Sequence, residues 1–78
     1  MRMPPLREVR LRKLYSLRAL AAKADVAQRT IVEAEAGRQS PRPTTMRKLA
    51  DALGVEPMEI DEFQAAVDEQ VEASKDAA

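Results

Sequence analysis

The stretch SLRALAAKADVAQRTIVEAEAG, residues 16–37, decides the fold. Within it Leu20, Ala21, Ala24, Val26, Ile31 and Ala34 fall where a helix, a short turn and a second helix turn apolar side chains toward a common interior. Ala21 stands at the expected crossing, where anything much larger than a methyl would push the helices apart. Ser16 is a good cap for the first helix, over residues 17–24, because its hydroxyl can accept from the new helix's free N–H groups. Asp25 occupies the turn and Val26 plugs it. The second helix runs from about residue 28 to residue 36. Gly37 follows it, at a position where a left-handed backbone costs glycine nothing. This spacing is what a helix-turn-helix unit requires.

Outward from this unit the pattern stays helical. Pro4 and Pro5 keep residues 1–5 as a short arm and can open a first helix over residues 6–14. Leu6, Val9, Lys13 and Leu14 share one face of it, and Tyr15 turns inward at its end. After Gly37 the segment RQSPR, residues 38–42, is a basic, proline-containing loop. Pro43 can start a fourth helix that ends at Leu53, with Gly54 as its stop, and Thr44 and Thr45 read as cap residues near its start. Met46, Leu49, Ala50 and Leu53 follow the spacing of one buried face. Val55 packs back, and Pro57 opens a fifth helix carrying Ile60, Phe63, Val67 and Val71; the chain is expected to fray from about Ser74. The aromatic content is 3%, so the core must be aliphatic, and no useful β-branched alternation occurs. The expected fold is all-α, a compact bundle of about five helices. It divides into an arm (1–5), a domain (6–63, with its helix-turn-helix unit at 17–36) and an acidic, partly helical tail (64–78).

Composition removes most chemistry. The chain has neither Cys nor His, which excludes disulfides, thiolate nucleophiles, the usual general base and the commonest metal ligand. No Gly-rich phosphate loop occurs, and the carboxylates fall on solvated faces, so no catalytic residue, metal or cofactor is expected. No apolar run approaches the roughly 20 residues of a membrane span, and residues 1–5 lack a signal-peptide core. The expectation is a soluble, cytoplasmic protein with no membrane partner.

The formal net charge of zero hides a division. Residues 1–50 hold twelve cations against four carboxylates, +8, while residues 51–78 hold one cation against nine, −8. A basic half suits a polyanion, and with the helix-turn-helix spacing it points to double-stranded DNA.

From Leu6 to Ile60 the sequence resembles the Cro/CI-like, XRE-type helix-turn-helix domains of phage repressors and bacterial regulators. The resemblance rests on an ordered set: Leu6-Arg7-Glu8, Leu20-Ala21, Val26, Thr30-Ile31, Glu35, Gly37, Pro41, Lys48-Leu49-Ala50 and Ala52-Leu53-Gly54-Val55. It implies a lambda-repressor-like bundle with its third helix in the major groove of an operator. Four positions depart from the pattern. Asp25 and Leu14 stand where glycine is frequent, Leu17 where a phosphate-contacting Gln is frequent, and Ala27 where Ser or Thr caps the third helix. That last change forfeits roughly 0.5–2 kcal/mol.

The resemblance and the chemistry of base edges together suggest roles for the outward side of the third helix. Gln28 can bond adenine bidentately, Arg29 can meet a guanine or a phosphate, and Val32 can meet a thymine methyl. Glu33 can accept from cytosine, or pair with Arg29 one turn away and hold its guanidinium in place. Arg38, Gln39, Ser40 and Arg42, with Lys48, are the candidates for phosphate contacts. The resemblance assigns Arg10 and Glu35 to a partly buried structural ion pair. It also implies a homodimer on an inverted repeat, with half-sites about 34–36 Å apart. Met58, Ile60, Phe63, Val67 and Val71 are the candidate dimer surface; the competing readings are packing on their own core, best suited to Ile60 and Phe63, and docking onto another protein. The implied function is a sequence-specific transcriptional regulator, a repressor or a self-regulating controller, of bacterial or phage origin and on the nucleoid when bound. The alternative is an interaction module or antitoxin-like protein whose acidic tail holds a protein partner.

Overall fold

The computed structural model describes the backbone of residues 3–77 and the side chains of residues 3–74. Five α-helices occur among them: α1 (Leu6–Arg12), α2 (Leu17–Ala24), α3 (Gln28–Glu35), α4 (Pro43–Leu53) and α5 (Asp61–Ala77). A short 3₁₀ turn, Pro57–Glu59, precedes α5, and the described residues contain no strand. The core takes Leu6 and Val9 from α1, Leu20, Ala21 and Ala24 from α2, and Ile31 and Ala34 from α3. Met46, Leu49, Ala52 and Leu53 come from α4, followed by Ile60, Phe63 and Ala66. Each large aliphatic side chain so buried contributes about 1.5–3 kcal/mol. Helix α2 packs on both α3 and α4, with Ala21 and Ala24 buried between them.

Each of α1 to α4 is closed by a left-handed residue: Leu14 (φ 62°), Asp25 (φ 56°), Gly37 (φ 71°) and Gly54 (φ 71°). The closing bonds repeat. At α3, Arg38 N–H donates to Glu33 O at 3.0 Å and Gly37 N–H to Ala34 O at 3.2 Å. At α1, Tyr15 N–H donates to Arg10 O at 3.1 Å and Leu14 N–H to Leu11 O at 3.0 Å. These bonds satisfy carbonyls that a helix end leaves free.

The ends of the first and last helices depart from the sequence reading. Helix α1 stops at Arg12, so Lys13 and Leu14 do not continue its inward face. The chain must reverse to deliver Ser16 to α2, and the left-handed turn swings Leu14 into water, where it is 92% exposed. Arg10 is buried in that stripe instead. Pro57 opens only the 3₁₀ turn, which Glu59 closes by accepting from Glu56 N–H at 2.8 Å. Ile60 is extended (φ −111°, ψ 126°), so α5 begins at Asp61. It continues through Ala77, past the fraying expected at Ser74, and crosses residues 63–64 without a break.

Two bonds tie α5 to the start of α1. Asp61 N–H donates to Pro4 O at 2.9 Å, and Glu62 Oε1 accepts from Leu6 N–H at 2.7 Å. Pro5 precedes α1 and provides no side-chain cap, so a carboxylate 56 residues away does that work. No helix among the described residues is long and apolar enough to cross a membrane.

Candidate nucleic-acid interface

Helix α3 is held by its inner side and presents its outer one. Ile31 and Ala34 are buried, while Gln28, Arg29, Val32 and Ala36 are exposed. Upstream, Ser16 Oγ accepts from Ala19 N–H at 3.0 Å and fixes the start of α2. Leu17 packs against the core, so a position that often offers a polar side chain to phosphate is spent on packing. Asp25 carries the left-handed turn, and Val26 packs on the core beneath it. Ala27 makes no side-chain cap.

Glu33 differs from its neighbours. It lies one turn from Arg29, with Arg29 Nε 3.6 Å from Glu33 Oε1, and its side chain is 21% exposed against 88% for the arginine. Such an exposed pair is worth a few tenths of a kcal/mol, too little to fold the helix but enough to bias where the guanidinium points.

The loop after α3 holds Arg38, Gln39, Ser40 and Arg42 at the surface, anchored by buried Pro41. A polar recess of about 290 Å³ joins this loop to α3, lined by Thr30, Glu33, Gln39, Ser40, Pro41, Arg42 and Thr45. Four residues singled out from sequence, Glu33, Gln39, Ser40 and Arg42, thus meet at one place. Thr30 and Thr45 join them. Thr45 is no cap and neither is Thr44, because α4 starts after Arg42 without a side-chain cap bond. Lys48 stands apart from the recess, with Nζ 4.0 Å from Asp25 Oδ2 at the α2–α3 turn. Glu69 of α5 is an addition that spacing could not reveal: Ser40 Oγ lies 3.5 Å from Glu69 Oε2.

Beneath this surface the structure brings Arg10 and Glu35 together. Arg10 Nε donates to Glu35 Oε2 at 2.7 Å and Nη2 to Oε1 at 3.2 Å, with side chains only 8% and 11% exposed. Arg10 Nη1 also donates to Tyr15 O at 2.9 Å. One guanidinium therefore joins α1, the turn into α2 and the end of α3. The fork geometry of arginine suits this task, whereas a lysine would supply a point charge.

The residues considered for a dimer surface divide. Ile60 and Phe63 are fully buried in their own core and offer nothing to a partner. Val67 is half-buried against that core, and Met58 and Val71 are exposed.

A capped helix, a tight turn, and a second helix with a polar outer side and a basic loop define a helix-turn-helix domain. The family model described as helix-turn-helix matches residues 6–60, and the chain belongs to that family, in its Cro/CI-like, XRE-type branch. The family is one of DNA-binding regulators, typically without enzymatic activity. No curated protein and no solved structure matches the chain.

Proposed function

We propose that the chain is a sequence-specific transcriptional regulator that reads the major groove of an operator with α3. The observation that carries this reading is the exposed outer side of α3, with Gln28 and Arg29, followed by a recess in which Thr30 and Glu33 of α3 meet Gln39, Ser40 and Arg42 of the basic loop. Gln28, Arg29 and Val32 address base edges, and Glu33 orients Arg29 or meets a cytosine. Arg38, Gln39, Ser40 and Arg42 take phosphates, which supply affinity and orientation without sequence information, and Lys48 assists from α4. The protein acts as a homodimer on an inverted repeat, as a repressor or a self-regulating controller, in the cytoplasm.

Selection from random DNA, followed by fluorescence anisotropy across a salt series, tests this. The expected result is an enriched inverted repeat whose binding weakens steeply with salt. Enrichment of no sequence, with only weak salt-sensitive binding, would overturn the proposal. An interaction module working through the acidic α5 would then be the better reading.

A further inference from the structure

We propose that the outer face of α1 is a docking surface for the acidic end of α5 from a second copy of this chain. On α1, Pro5, Arg7, Glu8, Leu11 and Arg12 line a shallow groove, and Leu14 comes two residues later in the sequence, in the turn that closes the helix. Leu11 is 51% exposed and Leu14 is 92% exposed. Leu14 is also held at φ 62°, a conformation unfavourable for any residue with a Cβ, and nothing in the monomer offsets that by burial. An apolar strip flanked by arginines suits an acidic helix with an apolar stripe.

The chain carries such a helix. On α5, Val67 and Val71 lie one turn apart, Val71 is 46% exposed, and Asp68 and Glu72 follow around the same side. Residues 68–74 are exposed, so this stretch of α5 offers its surface to a partner. The chain's own α5 is engaged elsewhere: it starts at Pro4 and by Glu69 has reached Ser40 of the α3–α4 loop. A second copy supplies both halves of the contact, α1 onto α5 and α5 onto α1, which is how a two-fold dimer closes. Arg7 and Arg12 then face Asp68 and Glu72, so the charge division along the sequence becomes complementarity between copies. The contact uses no base-reading residue, and it is tested without DNA.

Sedimentation velocity of the full chain over a concentration series is the readout. Wild type is expected to dimerise reversibly, and more weakly at high salt. Leu14→Gly relieves the backbone strain, so its monomer stays folded. Its dissociation constant is nonetheless expected to rise roughly tenfold or more, since a two-fold dimer loses the side chain twice. A charge exchange gives the sharper arm. One chain carries Arg7→Glu and Arg12→Glu, and another carries Asp68→Lys and Glu72→Lys. Each alone is expected to be monomeric and the mixture to form a heterodimer, because mixing restores opposite charges at both contacts. A wild type that stays monomeric at every concentration, or an Arg7→Glu/Arg12→Glu chain that dimerises as wild type does, would overturn the proposal.

Discussion

Leu14 is the position where a single surface change should raise stability. Its φ of 62° costs a residue with a Cβ about 1–2 kcal/mol relative to glycine. Its side chain is 92% exposed, so truncation forfeits almost no burial within the monomer. Glycine widens the unfolded ensemble and takes back about 0.4–1 kcal/mol. Leu14→Gly should therefore stabilise the domain by about 0.5–1 kcal/mol, which for a domain of this size raises Tm by about 2–8 °C. Leu14→Ala is the control, since it removes the same exposed atoms but keeps the Cβ and with it the strain. Thermal unfolding followed by circular dichroism, in protein dilute enough to exclude association, measures both. The expected order is glycine above wild type, with alanine close to wild type. A glycine variant melting at or below wild type, or an alanine variant gaining as much as glycine, would refute the strain argument.

Two further outcomes follow from the site's geometry. Glu35→Ala leaves the Arg10 guanidinium buried without its carboxylate and should cost about 3–5 kcal/mol. Glu33→Ala removes only a surface pair and should cost well under about 1 kcal/mol; equal small shifts in the two melting curves would remove the structural role of Arg10 and Glu35. On the selected operator, Arg29→Ala should relax the preference at one base by about 1–3 kcal/mol. Arg42→Ala should weaken all sequences alike and reduce the salt slope by about 0.9. If both variants alter the same base preference, the division between reading and anchoring fails.

What was legible in the sequence was local. Ser16, Asp25, Gly37 and Gly54 punctuate helices through their own hydrogen-bonding and backbone preferences, and the limits of α2 and α4 follow directly from them. Apolar periodicity located the buried stripes of α2, α3 and α4 for the same reason: a helix repeats its face every three to four residues. Leu14 was misplaced because a leucine after an apolar stripe reads as one more core residue, and only the frequency of glycine at that place in the resembling domains hinted at a turn. Glu62 and Glu69 were invisible as contacts. Each meets a partner dozens of residues away, Leu6 and Ser40, and no periodicity encodes a pairing of that range. Pro57 misled in another way: it starts helical geometry of either kind, and Ile60 in extended form separates the 3₁₀ turn from α5.

The strained turn at Leu14 and the buried ion pair belong to one mechanical unit. Tyr15 N–H bonds to Arg10 O, Arg10 Nη1 bonds to Tyr15 O, and the same guanidinium grips Glu35 at the last turn of α3. The turn cannot relax from its left-handed form without pulling on Arg10, and Arg10 cannot move without disturbing α3. Strain of about 1–2 kcal/mol persists only where the surroundings over-determine it, and here a buried bidentate pair does so. The consequence reaches the outer face of α3. Its angle to α2 is set from below by the small Ala21 and Ala24, and its far end is set by Glu35. Gln28 and Arg29 therefore stand on a helix whose inner side packs on α2 and whose last turn is held by the buried ion pair.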